Sequence, residues 1–151
     1  MIKQSLIAAA AALAFSGSAL AQDLTGGDPE AGAKVFNKCK ACHMVGDGAK
    51  NRVGPTLNGV VGAAWGQVDG FKYSNSLIEI AEAEGKTWDL ATLSAYLEKP
   101  RDVIPKGRMA FAGLRKEDER ANVIAYLATF GADGATVDPA PVLEAAAGEG
   151  S

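Results

Sequence analysis

Five residues constrain this chain more than any others: Cys39-Lys40-Ala41-Cys42-His43 gathers both cysteines and the only histidine of 151 residues into one short run. Two thiols at this spacing are too close to frame a small disulfide-rich fold. A closed structural zinc site wants four Cys or His ligands, and the chain owns three. A thioredoxin-like dithiol would follow a strand, and no strand-like alternation precedes Cys39. The pattern that remains is covalent haem attachment, in which two thiols bond to the vinyl-derived positions of one haem edge while the adjacent imidazole meets the iron. A chain of this kind has to fold around a group larger than any of its side chains.

Because His43 is the sole histidine, no second imidazole of this chain can take the other axial position. Methionine, lysine, water or an open site are the candidates. Met1 leaves with the leader described below, and Met44 adjoins His43 on too short a tether to carry its sulfur across the ring. Met109 is left, in Pro105-Lys106-Gly107-Arg108-Met109, where proline and glycine let the backbone approach a flat group closely. The expected metal ligands are therefore His43 and Met109, with Cys39 and Cys42 as the covalent haem anchors. A neutral thioether favours ferrous iron, so this pair raises the reduction potential.

The N-terminus reads as an export leader: Lys3, an apolar run from Leu6 to Phe15, then Ala19-Leu20-Ala21 as an Ala-x-Ala cleavage site. The apolar run is about ten residues, against roughly 20 for a membrane span. Residues 1–21 are the expected signal peptide, cleaved after Ala21. The expected location in a bacterium is the periplasm, with no transmembrane anchor after cleavage. The remainder has the 48% hydrophobic and 22% charged residues of an ordinary globular domain. A net charge of -3 argues against nucleic-acid binding, which calls for a basic excess.

Helical signals recur along the chain. Asp28-Pro29-Glu30 supplies a cap acceptor, a first-turn proline and an anion for a helix that runs through Val35 and Phe36 and delivers the Cys-His run near its end. Ser74 caps a second, with Leu77, Ile80 and Ala81 on one face and Gly85 at its stop. A third follows Thr87 through Leu90, Leu93, Tyr96 and Leu97, ended by Pro100. After a loop around Met109, a last helix begins near Lys116 with Val123, Ile124, Leu127 and Phe130 on one face. From Ala132 the sequence turns to Ala, Gly, Pro and scattered acids, which predicts a flexible tail over 132–151. The fold class is all-α: four to five short helices and long loops wrapped around one haem, in a single domain over 22–131.

Several stretches then fall into a known order. Gly27-Asp28-Pro29-Glu30-Ala31-Gly32, the Cys39 to His43 run, Gly54-Pro55-Thr56-Leu57, Thr87-Trp88, Tyr96-Leu97-Glu98-Lys99-Pro100, Met109-Ala110-Phe111-Ala112-Gly113 and Ile124-Ala125-Tyr126-Leu127 make the chain resemble the class I c-type cytochromes. It is similar to mitochondrial cytochrome c and closer to the bacterial cytochrome c2 and c550 type, over roughly Gly27 to Gly131. The resemblance implies that the Pro55 carbonyl takes the His43 ring N–H and that Trp88 and Tyr73 hydrogen-bond a haem propionate. It also implies that the Tyr96 hydroxyl lies near the methionine sulfur and that Gly32, Phe36 and Tyr126 form a helix crossing. The chain departs from many relatives in carrying Ala63 where they have Arg.

The same resemblance implies one haem c and an activity of single-electron transfer, without catalysis, between membrane redox complexes. A cytochrome bc1 complex would be the donor and an oxidase, photosynthetic reaction centre or reductase the acceptor. Lys38, Lys40, Lys72, Lys99, Arg101, Lys106 and Arg108 fall in segments expected to border the haem edge, with acids gathered at Glu79, Glu82, Glu84 and Glu117 to Glu119. Such a dipole steers a monomeric carrier toward acidic docking surfaces in spite of the negative total. An enzyme or gas sensor with a labile sixth position, and a subunit of a larger oxidoreductase, are the competing readings.

Overall fold

The computed structural model describes residues 23–148, so the expected signal peptide and its cleavage point lie outside the described residues. Six helices follow one another within that span: α1 (Pro29–Phe36), α2 (Asn75–Glu84), α3 (Leu90–Glu98), α4 (Pro100–Val103), α5 (Glu117–Leu127) and α6 (Pro139–Ala147). No strand occurs among the described residues, only isolated bridges between Ala64 and Thr87 and between Phe130 and Thr136.

Helix boundaries follow from local chemistry. The Asp28 carboxylate accepts from the Glu30 N–H at 2.8 Å with Pro29 in the first turn, and Ser74 accepts from the Leu77 N–H at 3.2 Å. Gly85 closes α2 in the left-handed conformation, φ 60°, which costs glycine nothing. Past Thr87, the cap of α3 is Asp89, which holds the Thr92 N–H at 2.7 Å. Pro100 ends α3 as expected but then opens α4, a single turn in a stretch read as loop. Proline is barred from continuing one helix and well suited to begin another.

The main core forms where α1 crosses α5. Gly32 lies so close to α5 that a Cβ there would strike the Asn122 carbonyl and the Tyr126 side chain. Phe36 and Tyr126 meet with ring centroids 5.4 Å apart, Tyr126 meets Phe130 edge-on at 5.1 Å, and Asn122 accepts from the Asp28 N–H at 2.8 Å. Val123, Ile124 and Ala125 are wholly buried beneath this crossing, with Leu90, Leu93 and Leu97 of α3 in the same cluster. A second, smaller cluster gathers Trp65, Leu77 and Ile104, and Trp88 touches both.

The segment expected to be a flexible tail instead carries α6. Asp138 accepts from the Ala140 N–H at 3.0 Å, Pro139 occupies the first turn, and Leu143 and Ala146 are buried in the main cluster against α3 and α5. The apolar signal is only two residues long and half of it is alanine, so composition hides it. The approach to α6 is fixed as well: the Val137 N–H donates to the Thr129 carbonyl at 2.8 Å and the Gly131 N–H to the Ala135 carbonyl at 2.9 Å.

Candidate functional site

Helix α1 stops at Phe36, and the Cys-His run occupies the turns that follow. The Cys39 N–H donates to the Phe36 carbonyl at 2.8 Å, and those of Cys42 and His43 both donate to the Cys39 carbonyl at 3.0 Å. These turns hold two free, half-buried thiols and the imidazole in one compact unit. Burial pushes the Cys39 thiol up, partly offset by the charge of Lys38 and assisted by Cys42, so it is a thiol and not a thiolate at neutral pH.

His43 is fixed by the loop that follows it. Its Nδ1 lies 2.7 Å from the Pro55 carbonyl oxygen. A carbonyl only accepts, so the proton sits on Nδ1 and the Nε2 lone pair is left free. Burial holds the imidazole below its ordinary value, against the opposing effect of the Pro55 bond. The neutral, metal-binding form is thus the favoured one.

Backbone geometry brings Pro55 there. The Gly54 N–H donates to the Cys42 carbonyl at 2.9 Å, the Leu57 N–H to the Met44 carbonyl at 3.0 Å, and Gly54 itself is so close to the imidazole that a Cβ would overlap the ring. Asn58 and Gly46 exchange two bonds, of 2.7 and 3.0 Å, and Asn51 accepts from the Thr56 N–H at 3.0 Å. Asn51 and Asn58 are site-building residues that the sequence reading passed over, although Asn next to loop glycines is a signal for side-chain closure of this kind.

Aromatic side chains assemble in the smaller cluster. Trp65 stacks on Trp88 at 4.5 Å, and Trp88 meets Tyr96 at 5.0 Å. Trp65 spends its indole N–H on the Thr87 carbonyl at 3.2 Å, whereas the Trp88 indole and the Tyr96 hydroxyl find no partner among the described residues. Burial pushes the Tyr96 phenol up to about 12. Tyr73 accepts from the Val68 N–H at 3.2 Å, and burial raises its phenol too, against the Val68 bond. Met109 is half-buried on the stretch between Ile104 and Leu114, both almost fully enclosed.

Comparison with known proteins decides the family. A sequence model described as Cytochrome c matches residues 29–131. The chain belongs to the cytochrome c family. It is 50% identical over 108 residues to cytochrome c2 of Rhodoblastus acidophilus, covering 72% of this chain and 97% of that one. It is 51% identical over 106 residues to cytochrome c-550 of Ancylobacter novellus, covering 70% and 98%. Among solved structures, cytochrome c2 from Rhodospirillum centenum superimposes with a TM-score of 0.65 at 39% identity, covering 70% of this chain and 99% of that one.

Membership gives this cytochrome its cofactor and activity: a covalently bound haem c and the transfer of single electrons to and from other redox proteins. The residues present fit the group. Cys39 and Cys42 are unpaired and match the attachment motif, His43 has one nitrogen committed and one available, and Trp88 keeps an N–H donor without a protein acceptor. The expected Pro55 bond and the Gly32, Phe36 and Tyr126 crossing are both present.

The surface charges are less cleanly separated than expected. Lys38 pairs with Glu119 at 3.0 Å and Lys99 with Asp102 at 3.5 Å. Lys40, Lys72, Arg101, Lys106 and Arg108 are exposed and form no ion pair among the described residues.

Proposed function

We propose that this cytochrome is a periplasmic, monomeric electron shuttle whose single haem is bonded to Cys39 and Cys42 and held axially by His43 and Met109. When bound, haem c supplies a one-electron ferric and ferrous couple. The observation that carries the reading is the 2.7 Å bond from His43 Nδ1 to Pro55, which fixes the tautomer and leaves the Nε2 lone pair free for a metal. Backbone at Gly54 packs against the ring and limits its rotation. Met109 would supply a neutral thioether as the second iron ligand, leaving no ligand position for a substrate. That argues for a relay and not an enzyme.

Export by residues 1–21 with cleavage after Ala21 delivers the chain to the periplasm, where its donor is a cytochrome bc1 complex and its acceptor an oxidase, reaction centre or reductase. Lys40, Lys72, Arg101, Lys106 and Arg108, exposed and without an ion pair among the described residues, steer the encounter, so the rate with an acidic partner falls as salt rises. The axial assignment is tested by ferric absorption of wild type beside Met109→Ala. Wild type should show the weak red-end charge-transfer band of thioether-ligated iron, and Met109→Ala should lose it together with the high potential. An unchanged spectrum in the variant removes Met109 from the assignment.

A further inference from the structure

We propose that Arg120 is a positioning residue for the second iron ligand: it locks the downstream stem of the Met109 segment onto α3 and sets how readily that segment opens. The inference rests on the assignment of Met109 as an axial ligand.

Arg120 is 4% exposed and Ser94 3%, the two buried polar side chains among the described residues. Arg120 Nε donates to Ser94 Oγ at 3.0 Å, and its Nη1 donates to the carbonyls of Leu114 at 2.9 Å and Arg115 at 3.0 Å. Its one ion pair among the described residues is with Glu98, 4.0 Å away with its side chain half-exposed. A guanidinium therefore sits in the interior with its Nε and Nη1 donors spent on the helix behind it and on the stem of one loop. Charge-assisted bonds of this kind are among the stronger ones, and removing the donor leaves buried carbonyls unpaired.

That stem has little else to hold it in register. The Leu114 N–H donates to the Leu97 carbonyl at 2.7 Å, and Gly113 lies against the Glu98 carbonyl where no Cβ fits. Upstream, Ile104 is buried and its carbonyl takes the Gly107 N–H at 2.9 Å. Between these anchors, Arg108 to Ala112 form no backbone hydrogen bond among the described residues. Met109 is thus placed by the ends of its segment and not by the segment itself, and Arg120 grips one end. Lysine cannot reproduce the grip, since one ammonium on a flexible stem lacks the planar fork.

The rate at which added imidazole enters the ferric haem-loaded protein measures this opening, because Met109 has to leave first. Arg120→Lys and Arg120→Met should bind imidazole at least roughly tenfold faster than wild type, the change expected from losing one charge-assisted bond from a local opening. Their red-end band should weaken in parallel. Ser94→Ala, a milder change that keeps the guanidinium, should give about threefold. Leu143→Ala loosens α6, which forms no hydrogen bond with this stem among the described residues, and should leave the rate at the wild-type value. Arg120 and Ser94 variants within about twofold of wild type overturn the proposal, as does equal acceleration in Leu143→Ala. Met109→Ala separates the two readings. If it binds imidazole faster while the Arg120 variants do not, only the role of Arg120 falls; if it binds at the wild-type rate, the ligand assignment has failed.

Discussion

Leu143 is the side chain through which α6 is anchored, and shortening it to alanine measures that anchorage. The residue is 4% exposed and belongs to the main cluster. Leu143→Ala removes about three carbons from the interior, worth some 0.8 kcal/mol each in transfer free energy, or about 2.4 kcal/mol. A cavity contribution comes on top, but α6 lies at the edge of the core and can settle inward, so the low end of the 2–5 kcal/mol range for such truncations applies. With a urea slope of about 1.5–2 kcal/mol per molar, the unfolding midpoint of the haem-loaded protein should fall by about 1–2 M. Glu144→Ala, one position along on the exposed side of the same helix, serves as the control and should stay within about 0.5 kcal/mol of wild type. The assay is equilibrium urea unfolding followed by far-ultraviolet circular dichroism. If Leu143→Ala matches its control, α6 contributes nothing to the core and its placement against α3 and α5 is wrong.

Three further outcomes follow from particular contacts. Gly54→Ala should push the His43 ring off the Pro55 carbonyl, seen as a raised reduction potential and a shifted imidazole ring N–H resonance, because the new Cβ has no room beside the ring and an imidazole without that bond is a weaker donor. Gly32→Ala should cost more than about 2 kcal/mol in unfolding despite alanine's better helix propensity, since α1 and α5 would have to separate. Tyr96 has a folded-state phenol raised to about 12 by burial, against an unfolded value of 10.0. Its stabilising share is complete below pH 10 and is lost as pH rises toward 12, with a slope near 1.4 kcal/mol per pH unit, because the unfolded chain gives up the proton first. Tyr96→Phe should flatten that decline in a pH series of urea midpoints, and an unaltered slope would assign the decline to other groups.

The elements that spoke in the sequence were those with a local chemical cause. Asp28 before Pro29, Ser74 before a periodic apolar face, Gly85 after it and Pro100 across the path of α3 each mark a boundary through a bond made or forbidden within a few residues, and each boundary is where the structure has it. The Cys39 to His43 run was legible for the same reason, its chemistry being contained in five positions. Pro55 came through the family resemblance and is met at hydrogen-bond distance. What stayed hidden depends on partners far away in the chain. Nothing near Leu143 and Ala146 announces that α3 and α5 leave space for them. Arg120 follows three acids in the exposed first turn of α5 and looks like a solvated charge until Ser94 and the carbonyls of Leu114 and Arg115 are seen to surround it. Trp65 reads as a loop residue until Trp88 is found stacked beneath it.

The stretch from Ala132 to Ala147 also alters what a visiting molecule can reach. Ala132 packs on Gly59, Gly134 sits against the Gly46 carbonyl beside Asn58, and Ala146 stands over Gly62, so this stretch roofs the Gly46 to Gly62 loop. The roof carries three exposed carboxylates, Asp133, Asp138 and Glu144, and no cation. Anything arriving from that direction meets methyl groups, proline rings and these three carboxylates before it meets the loop, so an acidic surface is repelled there. Under the proposed steering, an acidic partner is turned from this roof toward the exposed lysines and arginines elsewhere on the surface.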